Sequence, residues 1–513
     1  MYTLIFLSAQ QLVKDEEATC KILESVPCIV YDVLFKVAYR ENKTKVLCDL
    51  VKMWPYSRFK FQELLQTCWC SSRSLSRSPS RNCQECQEII DYDESSINKI
   101  DAIILGVLNY IKKANTDDSQ QLPRRILKQV DMTGLVSRDT CWNEELMRLW
   151  TTSISASQIY NSSQQQTDDP QSQRGDQMAE GFPVSTQETH VDLLIDLQMT
   201  ASLWKFLRKI LEDETNNHLH LKCRNFYSSY TFLRDYVKCF TLLNSLAICR
   251  MDLRYSKITL MKSKWLMSQM VILQNLQSLF LPSFSIDEKK TAPLAQKTDI
   301  QILAEKLGKL KHLREISIHC LCLSDLVEYL LRDLPYPLQS LQLSYCSLTE
   351  KDLTYMAQSH HSAHLIKLDL SCNRLTEQRD SFLKLLKSVS NSLKWLNITN
   401  CGLNDADFDE ISSYLYSCTS LSHLGLHGNS LSKRSLIAFL EPSLCKLLNM
   451  KIISVPIFSD CYRNLRTSKQ YDESSDFLSI LNETKSTQLT REGLTITLTY
   501  NSLSDVGDYF DLR

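Results

Sequence analysis

Four segments, "LQSLQLSYCSL" (Leu338–Leu348), "LIKLDLSCNRL" (Leu365–Leu375), "LKWLNITNCGL" (Leu393–Leu403) and "LSHLGLHGNSL" (Leu421–Leu431), begin 27, 28 and 28 residues apart. Each places leucine or isoleucine at its first, fourth, sixth and eleventh positions and Asn or Cys at its ninth. A fixed period outranks local propensity in deciding architecture. The alternating part must be a strand, because side chains of period two point to opposite faces. Between the segments, "LTYMAQ" (353–358), "FLKLLKSV" (382–389), "FDEISSYLY" (408–416) and "SLIAFL" (435–440) carry the apolar spacing of short helices.

The pattern is that of a leucine-rich repeat, and a unit of this length with a full helix predicts the ribonuclease-inhibitor type. That is an α/β horseshoe solenoid with parallel strands on the concave side and helices on the convex side. Weaker copies extend it backwards: "LREISIHCLCL" from Leu313, "LQSLFLPSF" from Leu276 and "ICRMDLRYSKI" from Ile248. The residues flanking the strand leucines should line the concave face: Ser340, Gln342 and Ser344; Lys367, Asp369 and Ser371; Trp395, Asn397 and Thr399; His423, Gly425 and His427. Of these, Lys367, Asp369, Trp395, Asn397, His423 and His427 are the expected binding residues, centred on an exposed Trp beside two His, since aromatic anchors carry much interface energy.

The chain outside the repeats divides by composition. An N-terminal helical region is expected over 1–70, a polar Ser/Arg-rich loop over 71–96, helices and a first irregular repeat near "ILKQVDMTGL" over 97–150, and a disordered polar insertion over 151–190. Repeats follow over 191–465 and a C-terminal cap over 466–513. "SSRSLSRSPSR" (Ser71–Arg81) and the Gln/Ser/Asp-rich run from Ser153 to His190 hold too few apolar residues to offset the entropy of ordering. The first of these reads as a solvated linker ahead of a phosphorylation target. "SINKIDAIILGVLNYIKKA" (Ser96–Ala114) has helical spacing with two lysines in its last turn.

Bulk numbers exclude several classes. A 43% hydrophobic and 23% charged composition is that of a folded protein with a real core. Lys+Arg 58 against Asp+Glu 59 gives no general attraction to nucleic acid or an acidic membrane. The apolar opening, Met1 to Val13, lacks a basic lead-in and a small-residue cleavage site, so it is read as part of the folded protein, and 19 Cys scattered through leucine patterns suit a reduced, cytoplasmic chain. No phosphate-binding loop or H-E-x-x-H motif is present, and His360, His361 and Cys346 fall in repeat connections and strand edges, so no catalytic residues, cofactor or enzyme activity are expected. Cys68, Cys70, Cys83 and Cys86 would supply four thiolates to a zinc ion, but C-x-C is tighter than structural zinc spacing, and the reading is separate thiols with no metal.

Two further patterns stand at the N-terminus. Thr3-Leu4-x-x-x-Ser8-x-x-x-Leu12 looks like an elongin BC box, with a small residue where a helix must be approached closely; Ser8 stands where Cys is commoner. Val26-Pro27-x-x-Val30-x-x-x-Leu34 looks like a cullin-2 box. Together with "FLSAQQL" (Phe6–Leu12), "DVLFKVAYRENKTKVLCDLVKMWPYSRFKFQELLQTC" (Asp32–Cys68), "RRILKQVDMTGL" (Arg124–Leu135), "HSAHLIKLDLSCNRL" (His361–Leu375) and "SLSHLGLHGNSLS" (Ser420–Ser432), these stretches resemble the PRAME family. The likeness runs from Met1 into "VPIFSDCY" (Val455–Tyr462).

That resemblance implies a non-enzymatic adaptor: a cytoplasmic negative regulator of Toll-like-receptor and NF-κB signalling that binds IκB kinase β and disrupts the kinase core complex. The family also implies an alternative, a substrate-recognition subunit of a cullin-2 ubiquitin ligase held through elongins B and C. In either role the partners are proteins, with neither nucleic acid nor membrane involved.

Overall fold

A computed structural model describes residues 3–67, 93–116, 127–137, 140–165, 190–200, 203–205, 207–208, 218–228, 233–243, 245–256, 260–282, 293–455 and 495–498. Ser71–Arg81, Cys68, Cys70, Cys83, Cys86 and most of the 151–190 insertion lie outside the described residues. The chain forms two compact units, Met1–Ser228 with Arg234–Ile248, and Ser229–Leu233 with Cys249–Arg513.

In the C-terminal unit the strands are β5 (Arg250–Asp252), β6 (Ser278–Phe280), β7 (Glu315–His319), β8 (Ser340–Ser344), β9 (Lys367–Asp369), β10 (Trp395–Asn397), β11 (His423–Gly425), β12 (Ile452–Val455) and β13 (Thr495–Leu498). All pair in parallel, each with its neighbours in chain order. The returning helices are α9 (Leu260–Met270), α10 (Pro293–Gly308), α11 (Val327–Leu331), α12 (Glu350–Gln358), α13 (Arg379–Val389), α14 (Asp405–Leu415) and α15 (Lys433–Lys446), each packed on the next. Strands stack about 4.8 Å apart and helices about 8–10 Å apart, so the stack curves with the strands inside. This is the leucine-rich-repeat α/β solenoid that the period predicts.

Register explains the leucines. Met251, Leu279, Ile316, Leu341, Leu368, Leu396, Leu424 and Ile453 are successive cross-strand partners and all but fully buried. Each contributes on the order of 1.5–3 kcal/mol by leaving water. The chain then turns sharply: the eighth position of every full repeat is left-handed, with φ of 57° at Cys320, 59° at Tyr345, 58° at Cys372, 55° at Asn400 and 69° at Gly428. At Gly428 a Cβ would also approach Asn400 Cβ to 3.2 Å.

The ninth position holds that turn to its neighbour. Asn373 Nδ2 donates to Leu343 O of the preceding coil (2.8 Å) and Leu370 O of its own (2.9 Å), while its Oδ1 accepts from Cys346 N and Leu348 N, both at 3.2 Å. Asn429 repeats the pattern with Ile398 O, Leu426 O, Cys401 N and Leu403 N. Alternating with them, the single thiol protons of Cys346 and Cys401 are shared between a carbonyl of the preceding coil, Ile318 O (3.5 Å) and Leu370 O (3.3 Å), and one of their own, Ser344 O (3.3 Å) and Thr399 O (3.4 Å). Burial raises both thiol pKa values, which keeps them protonated and able to donate. Capping boxes at Thr349/Asp352 and Asn404/Asp407 start α12 and α14, and Asp352 also accepts from Asp325 N and Val327 N of the preceding coil.

The N-terminal unit comprises α1 (Leu4–Leu12), α2 (Glu16–Ile22), α3 (Tyr31–Arg40), α4 (Thr44–Lys52), β1 (Arg58–Lys60), α5 (Phe61–Gln66), α6 (Glu94–Thr116), β2 (Gln129–Asp131), α7 (Thr140–Gln165), β3 (Val191–Met199), β4 (Leu219–Ser228) and α8 (Leu233–Leu242). Its strands β1 to β4 are parallel in chain order. Strand β1 lies in the stretch expected as an N-terminal helical region, three residues being too short for alternation to show. Residues 151–165, expected within the disordered insertion, continue α7. Part of the expected C-terminal cap, Thr495–Leu498, is a further parallel strand.

An aromatic cluster of Phe35, Trp54 and Phe59 forms the core beside α3, with edge-to-face contacts of 5.1 Å and 4.9 Å to Phe59. Buried Lys36 donates to Leu65 O and Thr67 O, occupying the C-terminal end of α5. Gly106 lets α6 meet α4, since a Cβ there would lie 2.6 Å from Cys48 O.

Asn373→Ala removes hydrogen bonds to two amides and three carbonyls in the C-terminal unit, so chemical denaturation should show a loss of roughly 2–5 kcal/mol. A second prediction concerns His361, which is buried, accepts from Leu338 N at Nδ1 (3.2 Å) and contacts Leu331 O through Nε2 (3.2 Å). Burial pushes its pKa down from 6.5 to about 4. The unfolded chain therefore binds a proton that the fold refuses, and stability constant above pH 7 should fall by up to about 3 kcal/mol between pH 6.5 and pH 4. Thermal melts across that range should show a shallower fall for His361→Asn.

Candidate functional site

Helix α1 starts at Thr3, whose hydroxyl accepts from Phe6 N, and it buries Phe6, Ala9 and the following Val13. The opposite face is left bare: Leu4 is 80% exposed, and Ile5, Leu7, Ser8 and Leu12 are exposed with it. Leu4, Ser8 and Leu12 are spaced four residues apart and so share one helical face. Exposed large apolar side chains grouped on one helix mark an interaction surface.

The second box divides. Val26 and Val30 are half-buried and Pro27 is exposed, with the chain turning through a short 3₁₀ segment, Cys28–Val30, into α3. Leu34 is fully buried. It is read from sequence as a partner-facing residue; in the fold it packs the core, because the inner stripe of α3 needs it beside Phe35 and Val37. The exposed apolar residue of this stretch is Ile29, at 78%, beside Tyr56, whose hydroxyl donates to Cys28 O (3.0 Å). Sequence reasoning passes over Ile29, Ile5 and Leu7 because the box patterns leave those positions unspecified.

The concave-face residues do fall together on one face, in register: Lys367 beside Trp395 beside His423, and Asp369 beside Asn397 beside Gly425. Their exposure differs from expectation. Trp395 is only 9% exposed, with Lys367 Nζ 4.4 Å from its ring centroid and the His423 ring at 6.5 Å. Strands one spacing apart bring flanking long side chains over the indole, so it is covered rather than free. Asn397 is buried and donates to Asp369 Oδ2 (3.1 Å), while Asp369 Oδ1 accepts from Ser371 N (2.9 Å). His427 is buried as well, and Lys367 and His423 are half-buried. Burial lowers the pKa of His427, and burial with the charges of Lys451 and Lys367 lowers that of His423.

Among the described residues, no group of three or more His, Cys, Asp or Glu side chains is placed to hold a metal ion, and no helix is long and apolar enough to cross a membrane. His360, His361 and Cys346 form no constellation of nucleophile and base: Cys346 is a buried, protonated donor in the turn and His361 a buried backbone partner.

The sequence matches the PRAME N-terminal domain over residues 2–71 and the PRAME C-terminal domain over residues 188–477. Leucine-rich repeat-containing protein 14 of Mus musculus is 32% identical over 469 residues, covering 91% of this chain and 89% of that protein. Its namesake from Xenopus laevis is 30% identical over 470 residues, covering 90% and 89%. Oogenesin-2 of Mus musculus is 22% identical over 470 residues, covering 90% and 86%.

The two boxes should respond differently to truncation. Leu34→Ala should destabilise the fold by about 2–5 kcal/mol, whereas Leu4→Ala should leave the denaturation midpoint within about 0.5 kcal/mol of the parent.

Proposed function

Since this chain belongs to the PRAME family, we propose that it is a non-enzymatic, cytoplasmic leucine-rich-repeat adaptor whose α1 face engages elongins B and C and so places it in a cullin-2 ubiquitin ligase as the substrate-recognition subunit. The observation that supports this reading is the bare face of Leu4, Leu7 and Leu12 around the small Ser8, on a helix whose other side is anchored in the core. A stable helix presenting apolar side chains at this spacing suits insertion into a groove on a partner. Pro27 and Ile29, exposed at the entry to α3, would extend the contact to cullin-2, with Val26 and Val30 behind them. The solenoid face would hold the client.

The second reading is the one the resemblance implies, negative regulation of Toll-like-receptor and NF-κB signalling by binding IκB kinase β. It is favoured by Lys367 and His423 belonging to the C-terminal unit, whereas α1 belongs to the N-terminal one.

Affinity purification of the full chain, read by mass spectrometry, separates the two. The parent chain should bring down elongins B and C with cullin-2, and Leu4→Ala with Pro27→Ala should lose them while melting at the same temperature. Retention of all three by the double variant would overturn the ligase reading. Unchanged suppression of an NF-κB reporter by that variant would assign the kinase role to the solenoid alone.

A further inference from the structure

The strands β9 to β12 begin at a rim that carries three lysines. Lys367 opens β9, Lys394 immediately precedes β10 and Lys451 immediately precedes β12. Lys394 and Lys451 are exposed, and neither forms an ion pair among the described residues. Lys367 lies over the Trp395 ring, and the His423 ring, 6.5 Å from it, has its Nδ1 2.8 Å from Ser422 Oγ.

The carboxylates of this face are already committed. Asp369 accepts from Ser371 N and Asn397 Nδ2, and Glu315, on β7, faces Arg250 at 3.5 Å. Ser340 is the direct partner of Lys367 on β8; its hydroxyl and the Nε2 of Gln342 are buried without a hydrogen-bond partner among the described residues and have no accessible surface, so the groups a partner meets at the rim are the lysines.

We propose that this rim is the docking surface for an acidic segment of a partner protein, a run of Asp and Glu side chains lying across β9 to β12. The spacing favours several carboxylates over one phosphate. Lys367 and Lys451 are three strand spacings apart, about 14 Å, which an extended peptide covers in about four residues. The cations are separate ammonium groups without the bidentate guanidinium fork that suits a phosphate. The proposal rests on the adaptor reading for its biological meaning, as it names the class of client the solenoid would hold.

Fluorescence anisotropy of the full chain with a labelled short peptide of alternating Glu and Ser tests it. The peptide should bind with an affinity that falls as salt rises, and Lys367→Glu, Lys394→Glu and Lys451→Glu together should weaken it about tenfold or more. Replacement of the same three by Arg should retain binding. Equal binding by the Glu-substituted chain, or by a peptide with Gln in place of Glu, would overturn the proposal, as would tighter binding of a neutral peptide bearing one phosphoserine. Elongin capture should be unchanged in the Glu-substituted chain, and its thermal melt should match that of the parent, which shows that the substituted unit folds. A parent chain that binds the acidic peptide but captures no elongin would refute the adaptor reading and leave the rim intact.

Discussion

Five successive coils of the solenoid end their strands in a left-handed turn, at Cys320, Tyr345, Cys372, Asn400 and Gly428, and the backbone that makes the turn must be satisfied. The Asn and Cys of the ninth position solve this by reaching across to the neighbouring coil, Asn373 and Asn429 through both ends of the amide and Cys346 and Cys401 through a protonated thiol. Non-glycine residues at φ near 57° store strain, on the order of 1–3 kcal/mol each. These cross-coil bonds hold that strain in place. The leucine column supplies bulk stabilisation, but apolar contacts are non-directional. The turn bonds fix the register on which the sheet-face columns depend.

That division accounts for how much of the molecule is legible in the sequence. The period, the strand leucines and the helices between them are properties of single coils repeated, so Leu341, Leu368, Leu396 and Leu424 announce themselves, and their register is as the spacing implies. Exposure depends on neighbours in adjacent coils, which no single repeat encodes. Trp395 reads as an open anchor and is covered by Lys367 and His423. Leu34 matches a motif position yet faces the core, while Ile29, at a position the motif leaves free, faces water. Strand β1 escapes notice because three residues with one buried side chain carry no periodicity.

The two surfaces obey different physics. On α1 the exposed groups are apolar and belong to one rigid helix, so contact there rests on buried area and shape. On the sheet rim they are cationic and spread over several coils, so contact there is long-ranged and screened by salt. A chain carrying both can hold one partner tightly and sample others quickly, which is what an adaptor between a fixed assembly and changing clients requires.

The bare face of α1 has a consequence for abundance. Side chains such as Leu4 and Leu7, uncovered in water, are what chaperones and degradation factors bind, so a copy with that face uncovered carries a mark by which cells remove proteins. The steady amount of this protein would then follow the supply of whatever covers that helix, and surplus synthesis would shorten its lifetime without raising its level.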